Sequence, residues 1–163
     1  MRALVAYESW FGNTGALAEA VADELRADHE VTLVSVDEPA PSLDGVDLLV
    51  LGAPTHVHGL SSRFSRRAAL EQKGEEREPG GGTRGWLAAL PPGAGRRAAA
   101  FDTRIDKPVV LVGSAARTLA RRFARKGFAL VAPVESFFVR DSEGPLEEGE
   151  LERARAWARR LAA

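Results

Sequence analysis

Apolar residues form short strand-like runs that alternate with longer helix-like stretches. Residues 2–7 form an apolar run, and the apolar positions that follow recur at helical spacing, at Leu17, Ala20, Val21 and Leu25. Residues 31–36 alternate apolar and polar positions, which is typical of an edge strand, whereas residues 47–53 are apolar enough for a central parallel strand. The first third of the chain therefore predicts a strand, a helix and two further strands.

The same alternation continues to the end of the chain. Residues 98–101 and 129–139 predict the fourth and fifth strands, with Pro133 interrupting the fifth because proline cannot donate to a β-ladder. Residues 114–126 predict a helix that ends at Gly127, and a closing helix has its apolar positions at Leu151, Ala154, Ala158 and Leu161. Strands alternating with helices predict an α/β fold, a three-layer sandwich around a five-stranded parallel sheet with right-handed crossovers.

Residues 61–96 form an unusual insertion. Two short helical pieces are separated by residues 73–82, which contain no apolar residue, so we expect that segment to be mobile. Thr83 is a candidate cap for the second helical piece, residues 86–90, which Pro91 and Pro92 end. The insertion fits either a lid or partner-docking element beside a site, or a tolerated surface insertion.

Composition narrows the function classes. A chain of 163 residues with 45% hydrophobic and 28% charged residues predicts one domain over residues 1–163, and its net charge of −1 argues against nucleic acid as a partner. Because there are no cysteines, redox chemistry requires a bound cofactor. The sequence shows neither a signal-peptide pattern nor a bilayer-length apolar run, so we expect a cytoplasmic protein that does not bind membranes.

The turn after the first strand has the features of an anion pocket. Residues 9–15 contain two glycines and several small polar side chains, and they lead into the first helix, where backbone N–H groups lack partners. No Lys or Arg lies in this turn, and neither the Walker pattern nor the dinucleotide fingerprint is met. The alternative is an ordinary turn in which Asn13 or Thr14 caps the helix and Gly12 permits the bend.

Two of the loops resemble those of a known family. The run Ser9-Trp10-Phe11-Gly12-Asn13-Thr14 resembles the FMN-phosphate loop of flavodoxins, and Gly52-Ala53-Pro54-Thr55 resembles their second flavin loop. The resemblance implies a flavodoxin-like sheet of order 2-1-3-4-5 and non-covalently bound FMN at the carboxyl ends of the strands. It further implies that the phosphate contacts residues 9–14 and that the flavin ring contacts the second loop, at Pro54, Thr55, His56, Val57 and His58.

The loop after the fourth strand departs from the flavodoxin pattern. This loop contains residues 101–104. If it borders the ring, Asp102 would accept a hydrogen bond from the flavin, the Thr103 backbone would donate one to it, and Arg104 would favour negative charge on it. Phe101 is the aromatic residue at this point, although it fits the core equally well. The alternative for Asp102, Arg104 and Asp106 is a local salt-bridge turn.

These features predict an FMN-binding protein in electron transfer, with a redox protein or a small electron acceptor as its partner. Two alternatives stay open: an NAD(P)H-dependent quinone-type reductase, and a cofactor-free interaction domain on the same fold. The predicted helix over residues 114–126 also has a basic face, at Arg117, Arg121, Arg122 and Arg125. That face fits an acidic partner, a phosphorylated substrate or simple exposure to solvent.

Overall fold

One layer of parallel strands lies between two layers of helices in the computed structural model, which describes residues 1–56 and 58–163. The strands are β1 (Arg2–Tyr7), β2 (Glu30–Ser35), β3 (Leu48–Pro54), β4 (Arg97–Ile105), β5 (Ala129–Leu130) and β6 (Glu135–Val139). The helices are α1 (Asn13–Arg26), α2 (Arg63–Lys73), α3 (Gly82–Ala89), α4 (Val109–Val112), α5 (Ala115–Arg125) and α6 (Glu150–Ala162).

The sheet has the predicted parallel order, β2-β1-β3-β4-β5. β5 and β6 both pair with β4, the first beside Arg97 and Ala98 and the second beside residues 101–105. Together they form the predicted fifth strand, interrupted around Pro133 as the sequence indicates. The α/β sandwich with a flavodoxin-like order of strands is thus confirmed.

β4 is longer than predicted, since it continues through Asp102, Thr103 and Arg104 to Ile105. Asp102 and Thr103 pair with β3 on one side and with β6 on the other, whereas Arg104 and Ile105 pair with β6 alone. The sequence prediction ended the strand at Phe101 because polar residues follow, but Asp102 and Thr103 are buried with hydrogen-bonded side chains. Residues 102–104 therefore belong to a central strand and not to the loop after it.

The two faces of the sheet have separate cores. One lies under α3 and α5, and the other lies under α1 and α6. On α6 the buried positions are Ala154, Trp157, Ala158 and Leu161, whereas Leu151 is 38% exposed, so its predicted place on the buried face is wrong. Glu150 takes the buried position in that turn because its carboxylate accepts hydrogen bonds from Arg153 and from the backbone N–H of Phe138.

The insertion contains the two predicted helices, α2 and α3. The prediction that Thr83 caps α3 is wrong, because Gly81 is the N-cap residue and Thr83 lies within the helix. Its backbone N–H and hydroxyl both donate to Glu8, at the end of β1. The expected mobility of residues 73–82 stays a prediction. Across the residues that the structure describes, no helix is long and apolar enough to cross a membrane.

Candidate functional site

A cavity of about 360 Å³ opens where β1, β3 and β4 end. It is lined by the turn before α1, by residues 54–56 after β3, by the end of β4 and by one side of α2. Its volume lies in the roughly 300–1,000 Å³ range of small-molecule sites. The strand ends therefore place three predicted loops around one cavity, at the point where the sheet order reverses.

The start of α1 faces this cavity without a side-chain cap. Gly12 is the N-cap residue, with a left-handed φ of 88°, and neither Asn13 nor Thr14 caps the helix as the alternative interpretation supposed. The Asn13 amide donates instead to the carbonyl oxygen of Glu143 at 2.9 Å. The backbone N–H groups of Asn13 and Thr14 have no acceptor within the helix and lie at the cavity end of α1, whereas the Gly15 N–H donates to Ser9 Oγ.

Hydroxyl groups beside this turn retain protons that can be donated. Ser9 Oγ accepts a hydrogen bond from the Gly15 N–H at 3.1 Å, so its own O–H stays available. Thr14 Oγ1 and Thr103 Oγ1 lie 2.8 Å apart, and one of these two hydroxyls donates to the other. The accepting hydroxyl therefore keeps its proton. This set of neutral donors suits a phosphate group, held without a basic side chain.

The second predicted loop is divided between the cavity and the surface. Pro54, Thr55 and His56 line the cavity, whereas His58 is exposed, with a positive φ of 69°, and does not. Val57 lies outside the described residues. Burial lowers the pKa of His56, and the charge of Arg66 also lowers it while that of Glu8 raises it. His56 therefore presents a neutral imidazole to the cavity at neutral pH.

Phe101 and Asp102 do not line the cavity, which corrects the expectation that they border a bound ring. Phe101 is fully buried and packs edge-on against Phe137 and Trp157, at 5.8 Å between ring centroids in each pair. A Cβ on Gly52 would lie 2.1 Å from its Cζ, so this ring requires glycine at position 52 of β3. Phe101 therefore belongs to the core, as the alternative interpretation of the sequence proposed.

The Asp102 carboxylate is used entirely inside the protein. Its Oδ2 accepts hydrogen bonds from the Ser114 hydroxyl at 2.6 Å, the Ala116 N–H at 3.0 Å and the Thr55 hydroxyl at 3.2 Å. Ser114 in turn caps α5. Asp102 thus fixes the start of α5 and the loop at Thr55, and its other oxygen, Oδ1, is buried without a hydrogen-bond partner among the described residues.

Thr103 and Arg104 line the cavity, but Arg104 forms neither predicted ion pair. Its guanidinium donates to the carbonyl oxygen of Lys107 at 2.7 Å and to the Ser136 hydroxyl at 3.1 Å, and it lies 5.0 Å from the ring centroid of Phe138. Among the described residues it makes no salt bridge with Asp102 or Asp106, so the predicted salt-bridge turn is wrong. No carboxylate side chain is found among the described residues that line the cavity.

One wall of the cavity was missed at the level of sequence. It is one side of α2, formed by Phe64, Ser65, Ala68, Ala69 and Gln72. Phe64 is 82% exposed at the mouth, which adds an aromatic ring to this wall. The small residues at i and i+4, Ser65 and Ala69, were the available signal for a helix side that another group approaches closely.

Glu8 was also missed, although it directly precedes the phosphate-type turn. It is buried, and its two carboxylate oxygens accept four hydrogen bonds, from Trp10 Nε1 at 2.9 Å, the Ser61 hydroxyl at 2.5 Å, the Thr83 N–H at 3.0 Å and the Thr83 hydroxyl at 2.6 Å. Burial raises the pKa of Glu8, but these hydrogen bonds together outweigh it and hold the pKa below the ordinary 4.5. Glu8 is thus a buried anion that joins the turn to the insertion.

Comparisons with known proteins agree with this geometry. A family model described as "Flavodoxin domain" matches residues 4–73, and no curated protein matches the chain. Flavodoxin 1 of Bacillus cereus is similar in structure, with 19% identity, coverage of 99% of this chain and 97% of that one, and a TM-score of 0.72. Flavodoxin 2 of the same organism has 23% identity, 99% and 98% coverage and a TM-score of 0.71.

Two-electron reduced flavodoxin of Megasphaera elsdenii is similar over both complete chains, with 19% identity and a TM-score of 0.62. At these identities the structural likeness establishes the fold, and the sequence match covers β1, the turn, β3 and α2. The matched segment contains the uncapped start of α1 and the α2 wall of the cavity. The chain therefore matches the "Flavodoxin domain" model over residues 4–73 and has a flavodoxin-like fold over its whole length.

Proposed function

We infer that this chain binds FMN non-covalently and acts in electron transfer. The observation that supports this most directly is the uncapped start of α1, which opens with its neutral donors onto a cavity of about 360 Å³. The phosphate would be held by the N–H groups and hydroxyls of residues 9–14, with Thr103 beside them. The ring would lie between residues 54–56, the end of β4 and the α2 wall.

The residues present fit the chemistry of this cofactor. FMN supplies the exchange of one or two electrons, so the protein has to bind it, orient it and set its electrostatic environment. Ser9 and the Thr14–Thr103 pair offer donors to a phosphate, and the mostly apolar walls from Trp10 and Phe64 suit a flat aromatic ring. The open mouth at Phe64 leaves one edge of the site accessible to an electron donor or acceptor.

The charge around the cavity favours electron density on the bound ring. Arg104 lines the cavity, and none of the described lining residues carries a carboxylate. Acidic surroundings lower the potential of a flavin, whereas a nearby guanidinium stabilises negative charge on it. We therefore expect a higher two-electron potential than that of an acidic flavodoxin, measured by redox titration of the FMN-loaded protein, and a lower potential in the Arg104→Gln variant.

Binding of FMN and of riboflavin to the Thr14 variants tests the phosphate assignment. Thr14→Val should raise the Kd for FMN by about tenfold or more, since a hydrogen bond to a charged group contributes about 1.5–3 kcal/mol. Its effect on riboflavin, which lacks the phosphate, should be much smaller, and Thr14→Ser should retain most of the FMN affinity. An equal loss for both ligands would show that the phosphate lies elsewhere.

Two further measurements separate the competing functions. An electron carrier should leave NAD(P)H unoxidised when the FMN-loaded protein is mixed with it, whereas rapid bleaching of the flavin would indicate a nicotinamide-dependent, quinone-type reductase. A protein that stays colourless after incubation with FMN and desalting would be a cofactor-free interaction domain.

A further inference from the structure

Positive charge is concentrated in one continuous part of the chain. Residues 79–134 contain ten of the 22 Lys and Arg residues but only two of the 23 Asp and Glu residues, Asp102 and Asp106. Asp102 is buried. This part therefore has a net charge of +8 in a chain whose total is −1, so the rest of the chain is strongly acidic.

Within residues 1–56 and 58–163, the cations of this part of the chain form no salt bridge with a carboxylate. In every salt bridge between described residues, both partners lie outside residues 79–134. An example is Arg159 with Glu24, at 2.7 Å, on the opposite side of the sheet. On α5 three exposed arginines follow one another at four-residue spacing, and we call them the arginine stripe: Arg117, Arg121 and Arg125. The stripe thus presents one line of like charge to solvent.

Two more arginines extend this positive surface toward α3. Arg122 is half-buried, and burial lowers its pKa while the neighbouring charges of Arg84 and Arg125 lower it further. Arg84 donates to the carbonyl oxygens of Leu60 and Ser61, which holds its guanidinium in place. Like charges held this close raise the free energy of the isolated protein, and an external carboxylate would relieve that repulsion.

An exposed apolar patch adjoins the arginine stripe at the cavity. It belongs to α4, which directly precedes α5, and consists of Val110 at 85% exposure and Leu111 at 63%. The next residue, Val112, lines the cavity. Exposed aliphatic side chains beside arginines are typical of a protein interface, because apolar burial and charge pairing act together there.

We propose that α4 and the arginine stripe form the docking surface for an acidic protein partner. This inference rests on the proposed function, since the surface borders the cavity in which FMN would lie. Carboxylates of the partner pair with Arg117, Arg121 and Arg125, and an apolar group of the partner covers Val110 and Leu111. A partner docked in this way reaches the mouth of the cavity, where electrons would enter or leave.

The charge distribution favours a protein over other anionic partners. A bilayer or a long nucleic acid is an extended anion, and it would also approach the acidic remainder of the chain, which repels it. A protein with a compact acidic patch contacts only the basic surface. The exposed Val110 and Leu111 likewise gain nothing from a phosphate backbone, whereas they match an apolar patch on a protein.

Binding to a plant-type [2Fe–2S] ferredoxin, used as an acidic probe protein, tests the proposal. Fluorescence anisotropy of labelled ferredoxin should show binding to the chain at low ionic strength, weakened about tenfold or more at 0.3 M salt. The triple variant Arg117→Gln, Arg121→Gln, Arg125→Gln should lower the low-salt affinity by about tenfold or more. The matched control on α6, Arg155→Gln, Arg159→Gln, Arg160→Gln, has the same change in net charge and should stay within about twofold.

The double variant Val110→Ser, Leu111→Ser should also weaken binding, and its effect should persist at high salt. Equal losses in the two triple variants would overturn the proposal, because they would reflect net charge alone. Tighter binding to phosphatidylglycerol vesicles or to a DNA duplex than to ferredoxin would overturn it as well. Since anisotropy needs no flavin, these outcomes are separate from the FMN titration, in which all three variants should match the wild type.

Discussion

Glu8 and Asp102 are two buried carboxylates near the same end of the sheet, and they are used differently. Both oxygens of Glu8 accept hydrogen bonds, and the donors come from the turn before α1, from Ser61 and from α3. Asp102 accepts through Oδ2 alone, while its buried Oδ1 has no partner among the described residues. Glu8 therefore joins distant parts of the chain, whereas Asp102 fixes the start of one helix and the loop beside it.

The hydrogen bonds of Glu8 and Asp102 show how the cavity walls are held in place. Carboxylates near the carboxyl ends of parallel strands are the usual candidates for ligand contacts, yet Glu8 and Asp102 both form their hydrogen bonds inside the protein and hold the cavity walls. Glu8 connects the turn before α1 to the insertion through Thr83, and Ser61 links it to the buried guanidinium of Arg66 at 3.1 Å. The neutral donors and apolar surfaces that remain are what a ligand would meet.

The largest effect is expected for Glu8→Ala, which should lower the free energy of unfolding by about 3–5 kcal/mol. The substitution leaves four hydrogen-bond donors without an acceptor, and one of them, the Ser61 hydroxyl, also accepts from the buried guanidinium of Arg66. Urea denaturation followed by circular dichroism measures the change. The exposed Glu19→Ala on α1 is the control, with a change within about 0.5 kcal/mol; a similar small loss for Glu8→Ala would contradict the described network.

Asp102→Asn should be less costly, at about 2 kcal/mol, because the remaining amide oxygen still accepts from Ser114 and Ala116. The same denaturation experiment gives this value, and titration with FMN gives the second readout. Since Asp102 is directed away from the cavity, FMN affinity should change by less than about threefold. A large loss of FMN affinity in a variant that stays folded would show that Asp102 contacts the ligand after all.

Thr83→Val should cost about 1.5 kcal/mol, since it removes one hydrogen bond to the Glu8 carboxylate while the backbone N–H keeps the other. Thr83→Ser retains the hydroxyl and serves as the matched control. Limited proteolysis within residues 73–82 provides a local measurement, because α3 is held to β1 through this contact. Faster cleavage is expected in the valine variant alone; identical cleavage of both variants would argue that the contact does not hold the insertion.

The smallest effect is a change in acid sensitivity caused by Glu8. Because its pKa is lower in the folded protein than the ordinary 4.5, the ionised carboxylate stabilises the fold fully above that value. This stabilisation decreases as the pH falls below 4.5 and is lost once the pH passes the folded-state pKa. The free energy of unfolding between pH 5 and pH 3 should therefore fall more steeply in the wild type than in Glu8→Gln; parallel curves would exclude Glu8 as the source.

Local sequence patterns were sufficient for the first three strands, and the resemblance to flavodoxins supplied their order, but neither revealed the roles of these carboxylates. The periodicities of residues 2–7, 31–36 and 47–53 reflect burial in the sheet, so each predicted a strand of the observed structure. The end of β4 was missed because Asp102 and Thr103 are polar, and only their tertiary partners make them suitable for a buried strand. The donors to Glu8 from Ser61 and Thr83 lie 53 and 75 positions away, which no local pattern reveals.

For the site itself, the sequence was informative where a ligand would contact backbone and less so where it would contact side chains. The turn at residues 9–14 consists of glycine and short polar residues that are close in sequence, so its pattern can be recognised from the sequence alone. The α2 wall depends instead on where the insertion packs, through Ala69 and Leu70 against Trp10 and through the contact between Glu8 and Thr83. The spacing of Ser65 and Ala69 was a signal in the sequence, but Phe64 had no recognisable pattern until that packing was known.

The fit between Gly52 and the ring of Phe101 has an evolutionary consequence. With a Cβ at position 52 only 2.1 Å from the ring, neither residue can be replaced independently by a larger one. In sequences that descend from a common ancestor with this chain, a side chain at position 52 should occur together with a residue smaller than phenylalanine at position 101. Positions 52 and 101 would thus show correlated substitutions on the neighbouring strands β3 and β4.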